Sequence, residues 1–193
     1  MKSYTEVAQF VKSRIKESRY IHSLGVKEVA VTLAKRFGVS EDAAAICAIY
    51  HDAYRYSADS NTALFLESNG VELEEEEKED IVLLHGPLAA FYMRQDVGED
   101  TPDEYIKAVR FHTLGSVSMG ALGAIIYIAD FTEPGRKHLT EEDREFIFSS
   151  SSSLEEMIIR IMDMQRAYFD KEGIKSAKVS DELYEYIKSG GKL

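Results

Sequence analysis

The apolar residues of this chain recur at intervals of three and four almost from end to end, and that spacing most limits the fold open to it. Val26, Val29, Ala30, Leu33 and Phe37 mark one face of a helix that must pack on a core. Only three prolines interrupt 193 residues, and no run alternates apolar and polar residues between hairpin turns. The spacing predicts an all-α fold, with helices near residues 4–18, 21–37, 41–54, 61–69, 79–94, 102–113, 119–131, 141–148, 154–172 and 181–189. Ser3 with Glu6, Thr101 with Glu104 and Ser153 with Glu156 fit the capping box, and Pro102 suits a first helical position. Ser40 and Ser180 precede acids that favour a helix N-terminus. Gly25 falls inside a helix, at a cost of about 1 kcal/mol unless close packing needs it. The run Ser149–Ser153 reads as a connector, because the helices beyond it (MIIRIM, AYF) carry an apolar face that needs a partner. A single helical bundle over residues 1–193 is therefore expected, with 139–193 packing on what precedes them. The Met and Tyr residues of that tail belong in its core or in a homodimer contact.

A net charge of −11 speaks at first against a polyanionic partner. The charge is local, however. Glu72–Asp80 (ELEEEEKED) carries seven acids and one lysine, Asp96–Glu104 (DVGEDTPDE) five acids and no base, and the remainder balances. Both stretches are expected to be solvated faces or loops. The lone Cys47 excludes an internal disulfide and, in the apolar setting AAICAIY, points to a buried thiol and a reducing, cytoplasmic compartment. The N-terminus lacks the apolar core of a signal peptide. Phe111–Ala129 has no Asp, Glu, Lys or Arg, but its histidine, hydroxyls and three glycines argue against a membrane span. No basic stripe suggests nucleic acid.

Four of the five histidines, His22, His51, His85 and His112, stand where surface decoration does not explain them. Asp52 follows His51 at the end of the apolar helix AAAICAIYHD, and Asp130 is the only charged residue between Ala121 and Phe131. A carboxylate in a helix apolar on all sides is withdrawn from water, which is costly unless it is paired, hydrogen-bonded or metal-bound. Each residue alone has an ordinary reading: a satisfied core histidine, or an aspartate that caps a neighbour or meets an arginine. Together they form a set of imidazole and carboxylate donors suited to iron, manganese, cobalt or zinc, rather than to an all-oxygen magnesium cage. Without a cysteine cluster a structural zinc site is not expected. His138 fits no ligand position and is expected to be exposed near the turn before Thr140.

In chain order, RYIHSLGV, IYHDAYR, LLHGPLAA, VRFHTLGSVSMGAL and IIYIADFTEPGRKH resemble the HD superfamily of metal-dependent phosphohydrolases. More narrowly, they resemble the bacterial symmetrical dinucleoside tetraphosphatases, the YqeK family. The H…HD…D order is loose, whereas HT-x-G followed by AD-x-x-EP-x-R is specific. The resemblance implies an all-α HD domain with its metal-site core at about residues 19–138 and two divalent ions, iron foremost, with manganese, cobalt or zinc as alternatives. It implies that His22, His51, Asp52 and Asp130 hold one ion and that His85 and His112 hold the other, with Asp52 bridging. It further implies cleavage of diadenosine tetraphosphate to two ADP through attack on phosphorus by a hydroxide shared between the ions.

One departure is visible. Arg55 stands where many relatives carry the lysine of HD-x-x-K, which keeps the charge but replaces a point donor with a planar fork. The candidate catalytic residues are Asp52, Arg55 and Thr113. Candidate phosphate contacts are Arg19, Arg55, Arg110 and Arg136, with Lys107 and Lys137 behind them. The Thr113 hydroxyl would donate to a substrate oxygen or bond back to its own helix. Two other readings fit the same residues: an HD phosphohydrolase of another nucleotide, such as a monophosphate or a guanosine alarmone, or an HD domain that binds nucleotide without hydrolysing it.

Overall fold

The computed structural model describes residues 1–193 as eleven helices and no strand. They are α1 (Tyr4–Lys12), α2 (Glu17–Phe37), α3 (Glu41–Tyr50), α4 (Thr62–Ser68), α5 (Glu75–Glu79), α6 (His85–Val97), α7 (Asp103–Arg110), α8 (Gly120–Thr132), α9 (Glu141–Phe148), α10 (Leu154–Glu172) and α11 (Lys178–Lys188). The two most apolar helices, α3 and α8, lie together at the centre, each flanked by α2 and α7. Around them α1 packs on α3, α6 on α7 and α10 on α8. One buried apolar cluster runs from Val7 to Ile187. The tail joins it through Met157, Ile158, Ile161 and Met162 of α10, while Tyr168 stays exposed. No helix is long and apolar enough to cross a membrane.

Several expected helices break where local chemistry offers a better partner. The first stops at Lys12, because the Ser13 hydroxyl donates to the Phe10 carbonyl (2.7 Å) and Lys16 turns extended ahead of α2. The third stops at Tyr50, and His51–Ser57 continue as tight turns closed by Ala53 N–H to Tyr50 O and Arg55 N–H to Asp52 O. The expected helix at 79–94 is instead two helices, α5 and α6. Asp80 leaves the helical conformation and accepts from the Val82 N–H (2.8 Å). Pro87 then falls in the first turn of α6, where a missing N–H costs nothing. At 102–113 only Asp103–Arg110 is helical. Thr101 and Glu104 form no capping box, since the Thr101 hydroxyl donates to Gly98 O (2.6 Å) and Pro102 occupies the cap position. Ser180 caps nothing either: it lies inside α11 and donates to Leu114 O (2.7 Å). Thr140 and Ser153 do cap α9 and α10 with full capping boxes.

The acidic stretches are not uniformly solvated. Glu77 is fully buried and accepts two hydrogen bonds from the Arg110 guanidinium, at 2.5 and 2.7 Å. Asp96 is also buried, and one of its oxygens accepts from the Tyr50 and Tyr54 hydroxyls, at 2.7 and 2.8 Å. Burial and then the Asp96 charge hold both phenols above their usual range. These two acids lock α5 onto α7 and anchor the segment that carries His51 and Asp52 onto α6.

Truncating Arg110 strands the Glu77 carboxylate in the interior, a loss of about 3–5 kcal/mol for pairs of this kind. Urea unfolding of Arg110→Ala is expected to register that loss. The apolar pair Glu77→Leu with Arg110→Met should recover most of it, and equal stability of Arg110→Ala and wild type would contradict a structural role for the pair.

Candidate metal centre

His51 and Asp52 sit where α3 gives way to turns, His85 opens α6, and His112 stands two residues past the end of α7. At the C-terminal ends of α3 and α7, and in the turn before α6, backbone carbonyls lack intrahelical partners, and each of these histidines uses one. The Nδ1 atoms of His51, His85 and His112 lie within hydrogen-bond distance of the carbonyls of Ala48, Val82 and Val109, each three residues back. With Nδ1 donating there, Nε2 carries the lone pair and faces inward, the tautomer a metal ligand needs.

His22 lies well inside α2, where its own helix consumes the nearby carbonyls. Its Nδ1 meets Glu133 Oε1 instead (3.2 Å). Glu133 is buried and accepts from the Gly135 N–H (2.5 Å). A methyl group at Gly25 would come 2.7 Å from Glu133 Oε2, and one at Gly135 2.9 Å from both carboxylate oxygens. The close packing that excuses a glycine inside α2 is therefore this carboxylate.

All six expected ligands converge. His22 Nε2 lies 2.9 Å from Asp130 Oδ1 and 3.8 Å from Asp52 Oδ2, and His51 Nε2 lies 3.3 Å from Asp52 Oδ2. On the other side Asp52 Oδ1 lies 3.1 Å from His85 Nε2, which is 3.0 Å from His112 Nε2. Asp52 thus presents one oxygen to His22 and His51 and the other to His85. Burial works against ionisation of both aspartates. Even so, when the imidazoles are protonated His51 and His85 hold the Asp52 carboxyl well below its usual range, and His22, His51 and Arg136 do the same for Asp130. His112 is pushed down to about 3 by burial and by the neighbouring His51 and His85, so it is neutral at pH 7. Ionised carboxylates and inward imidazole nitrogens, with His22 Nε2 and His51 Nε2 lacking any hydrogen-bond partner, fit a cation. Ligand atoms of His22, His51 and Asp130, and likewise of His51, Asp52 and His112, lie close enough to share one.

Three arginines border the centre. Arg19 Nη1 donates to Asp52 Oδ2 (3.1 Å), Arg136 donates to Asp130 Oδ1 (2.6 Å), and Arg55 Nη1 lies 3.1 Å from His85 Nδ1. Arg110, expected as a phosphate contact, is turned away: Glu77 and the Glu72 carbonyl take its guanidinium, and with Lys107 it borders a separate surface groove. Lys137 is exposed. The Thr113 hydroxyl finds no partner, neither its own helix nor a ligand residue. His138 is exposed against the Phe131 ring, with centroids 4.5 Å apart, away from the ligand set. Glu133 and Asp96 lie outside the expected site residues, although Glu133 falls in the EP-x-R motif and the costly Gly25 is its indirect signal.

A family model described as HD domain matches residues 19–164. The chain is 39% identical to a symmetrical bis(5'-nucleosyl)-tetraphosphatase of Halalkalibacterium halodurans over 134 residues, 67% of this chain and 68% of that one. The chain belongs to this tetraphosphatase branch of the HD-domain family. The Bacillus subtilis protein of the same description is 35% identical over 133 residues, covering 68% and 69% of the two chains. Among solved structures, a Clostridium acetobutylicum protein described as a predicted HD superfamily hydrolase involved in NAD metabolism superposes with a TM-score of 0.86 at 28% identity, over 98% of both chains. HD domains form a family of metal-dependent phosphohydrolases, and this HD-domain chain carries the His and Asp groups able to bind metal.

Removing an outer carboxylate that orients a ligating histidine costs about tenfold to a hundredfold in metal affinity. Glu133→Ala is expected to lose that much in dialysis against buffered manganese, with its helical circular dichroism retained. Wild-type affinity in the variant would show that His22 needs no carboxylate to hold it.

Proposed function

We propose that this chain hydrolyses dinucleoside tetraphosphates symmetrically, releasing two ADP from diadenosine tetraphosphate, with two divalent cations at the centre. The observation that carries the reading is the placement of Asp52, one oxygen toward His22 and His51 and the other toward His85. It supports one position held by His22, His51, Asp52 and Asp130, a second held by His85, His112 and Asp52, and Asp52 between them. The donor set suits iron, with manganese, cobalt or zinc as alternatives. The names of the curated relatives supply the substrate class. When bound, two such cations supply a water nucleophile at neutral pH and neutralise phosphoryl charge.

The chain's own residues bind and orient. Arg19 and Arg136 are about a quarter to a third exposed, so each can reach a phosphate at the rim while staying beside its aspartate. Arg55 lies on the His85 side. A guanidinium does not give up its proton near neutral pH, so Arg55 serves the departing phosphate as a fixed charge and hydrogen-bond donor, not as an acid. Hydrolysis at the central anhydride leaves the water oxygen on one phosphorus and the bridging oxygen on the other, giving two nucleoside diphosphates. The buried free thiol of Cys47 supports action in a reducing cytoplasm.

The description of the Clostridium neighbour, in NAD metabolism, favours a second reading, a phosphohydrolase of another nucleotide. Chromatography of the products decides between them. ADP as sole product from diadenosine tetraphosphate is expected, whereas inertness toward it with turnover of mononucleotides would reject the first reading. A chelator should abolish activity, and manganese, iron or cobalt should restore it. Asp52→Ala is expected to lose metal and essentially all turnover, while His138→Ala keeps both.

A further inference from the structure

We propose that the cavity enclosed by α5, α10 and the link into α11 is the nucleobase pocket, holding one base of the dinucleotide; this rests on the substrate class proposed above. Its volume is about 280 Å³, a little under the roughly 300–1,000 Å³ of pockets that engulf a drug-sized ligand. That size suits a single base better than a whole nucleotide. The cavity wall and the metal centre share backbone: Thr113, on the wall, follows His112 directly, one Cα spacing of about 3.8 Å away, and Leu83 stands two residues before His85.

The lining has the chemistry of a flat, neutral, polar-edged ring. Met162 and Phe169 of α10 supply apolar wall, and Ile174, left 48% exposed, borders it. Among these apolar groups Glu76 and Thr113 each carry an oxygen, Oε2 and Oγ1, with no hydrogen-bond partner. Buried polar atoms are nearly always paired, so two unpaired oxygens on one cavity lining call for a ligand with a polar edge. The other Glu76 oxygen already accepts from the Lys178 N–H (3.3 Å), which leaves Oε2 as an acceptor. Gln165 accepts the Tyr127 hydroxyl on its carbonyl oxygen (2.7 Å), which leaves its NH2 to donate. An acceptor, a hydroxyl and an amide donor match a base edge that sets an N–H beside a ring acceptor, as adenine does with N6 and N1. The lining is close to charge-balanced, with Glu76 and Asp80 against Arg166 and Lys175. Arg166 is taken by Asp181 (2.6 Å), so the cavity offers a phosphate no cationic cluster such as the metal centre and its arginines provide. The anionic chain then stays with the cations and arginines, and the base enters the apolar, charge-balanced side.

The test compares two ligands of the metal-replete protein, ADP and inorganic pyrophosphate, by titration calorimetry. Pyrophosphate needs only the metal centre, whereas ADP also fills the cavity. Glu76→Ala, which removes the free acceptor, and Ser176→Phe, which fills the cavity from the link, are each expected to weaken ADP about tenfold and leave pyrophosphate unchanged. Unchanged ADP affinity in Glu76→Ala, or equal losses for both ligands, overturns the assignment. Should Ser176→Phe fail to fold, Glu76→Ala alone still decides. Cleavage of diadenosine tetraphosphate by the wild type is a separate readout: its absence counts against the proposed function, while the ADP-to-pyrophosphate ratio judges the cavity.

Discussion

Two carboxylates kept ionised inside a helical core are the constraint to which the rest of the structure answers. Asp52 is 3% exposed and Asp130 is largely enclosed, and a buried charge is tolerated only among partners that compensate it. The histidines, arginines and glycines around them are arranged as that compensation. Counting Glu133, three carboxylates share the centre with three guanidiniums: Arg19 and Arg136 pair with them directly, and Arg55 lies against His85. The protein thus brings its centre near neutrality by itself, and any cation bound there adds charge that a polyphosphate can feel. An acidic chain and an anionic substrate are then compatible, because the excess acid lies in two separate stretches and part of it is spent on internal pairs.

The architecture divides the candidate ligands by their place on a helix. His51, His85 and His112 stand at helix ends or in the turns beside them and borrow backbone carbonyls to set their tautomers. His22 is mid-helix and needs a side chain for the same purpose, which Glu133 brings from 111 residues away. Short helices and tight turns are therefore functional: a longer α3 or α7 would use up the carbonyls that orient the imidazoles. The HD segment is held from below as well, since Tyr50 and Tyr54 flank His51 and Asp52 and both reach Asp96 on α6.

Much of this was legible in the sequence where the signal is periodic or local. The bounds of α9 and α10 follow from the apolar spacing and, for α10, from Ser153, and the candidate ligands follow from the motifs that carry the family resemblance. What could not be read is long-range and polar. The partners of Glu77, Asp96 and His22 lie 33, 42 to 46 and 111 residues away, and hydropathy scores a buried paired acid the same as a solvated one. The split of the expected helix at 79–94 was available in principle from Pro87, which cannot sit nine residues into a helix without breaking it. Arg110 turns to Glu77 instead, because closeness in sequence to His112 does not fix which way a side chain leaves its helix.

The glycine clasp around Glu133 bears on how such a protein can be engineered. Replacing a mid-helix glycine by alanine is a standard route to thermostability, and on helix propensity alone Gly25 is an obvious target. Here the added methyl would collide with the carboxylate that steers His22. A variant selected for heat resistance at that position would gain backbone rigidity while displacing the carboxylate beside His22, a change that a screen scored on melting temperature alone does not register.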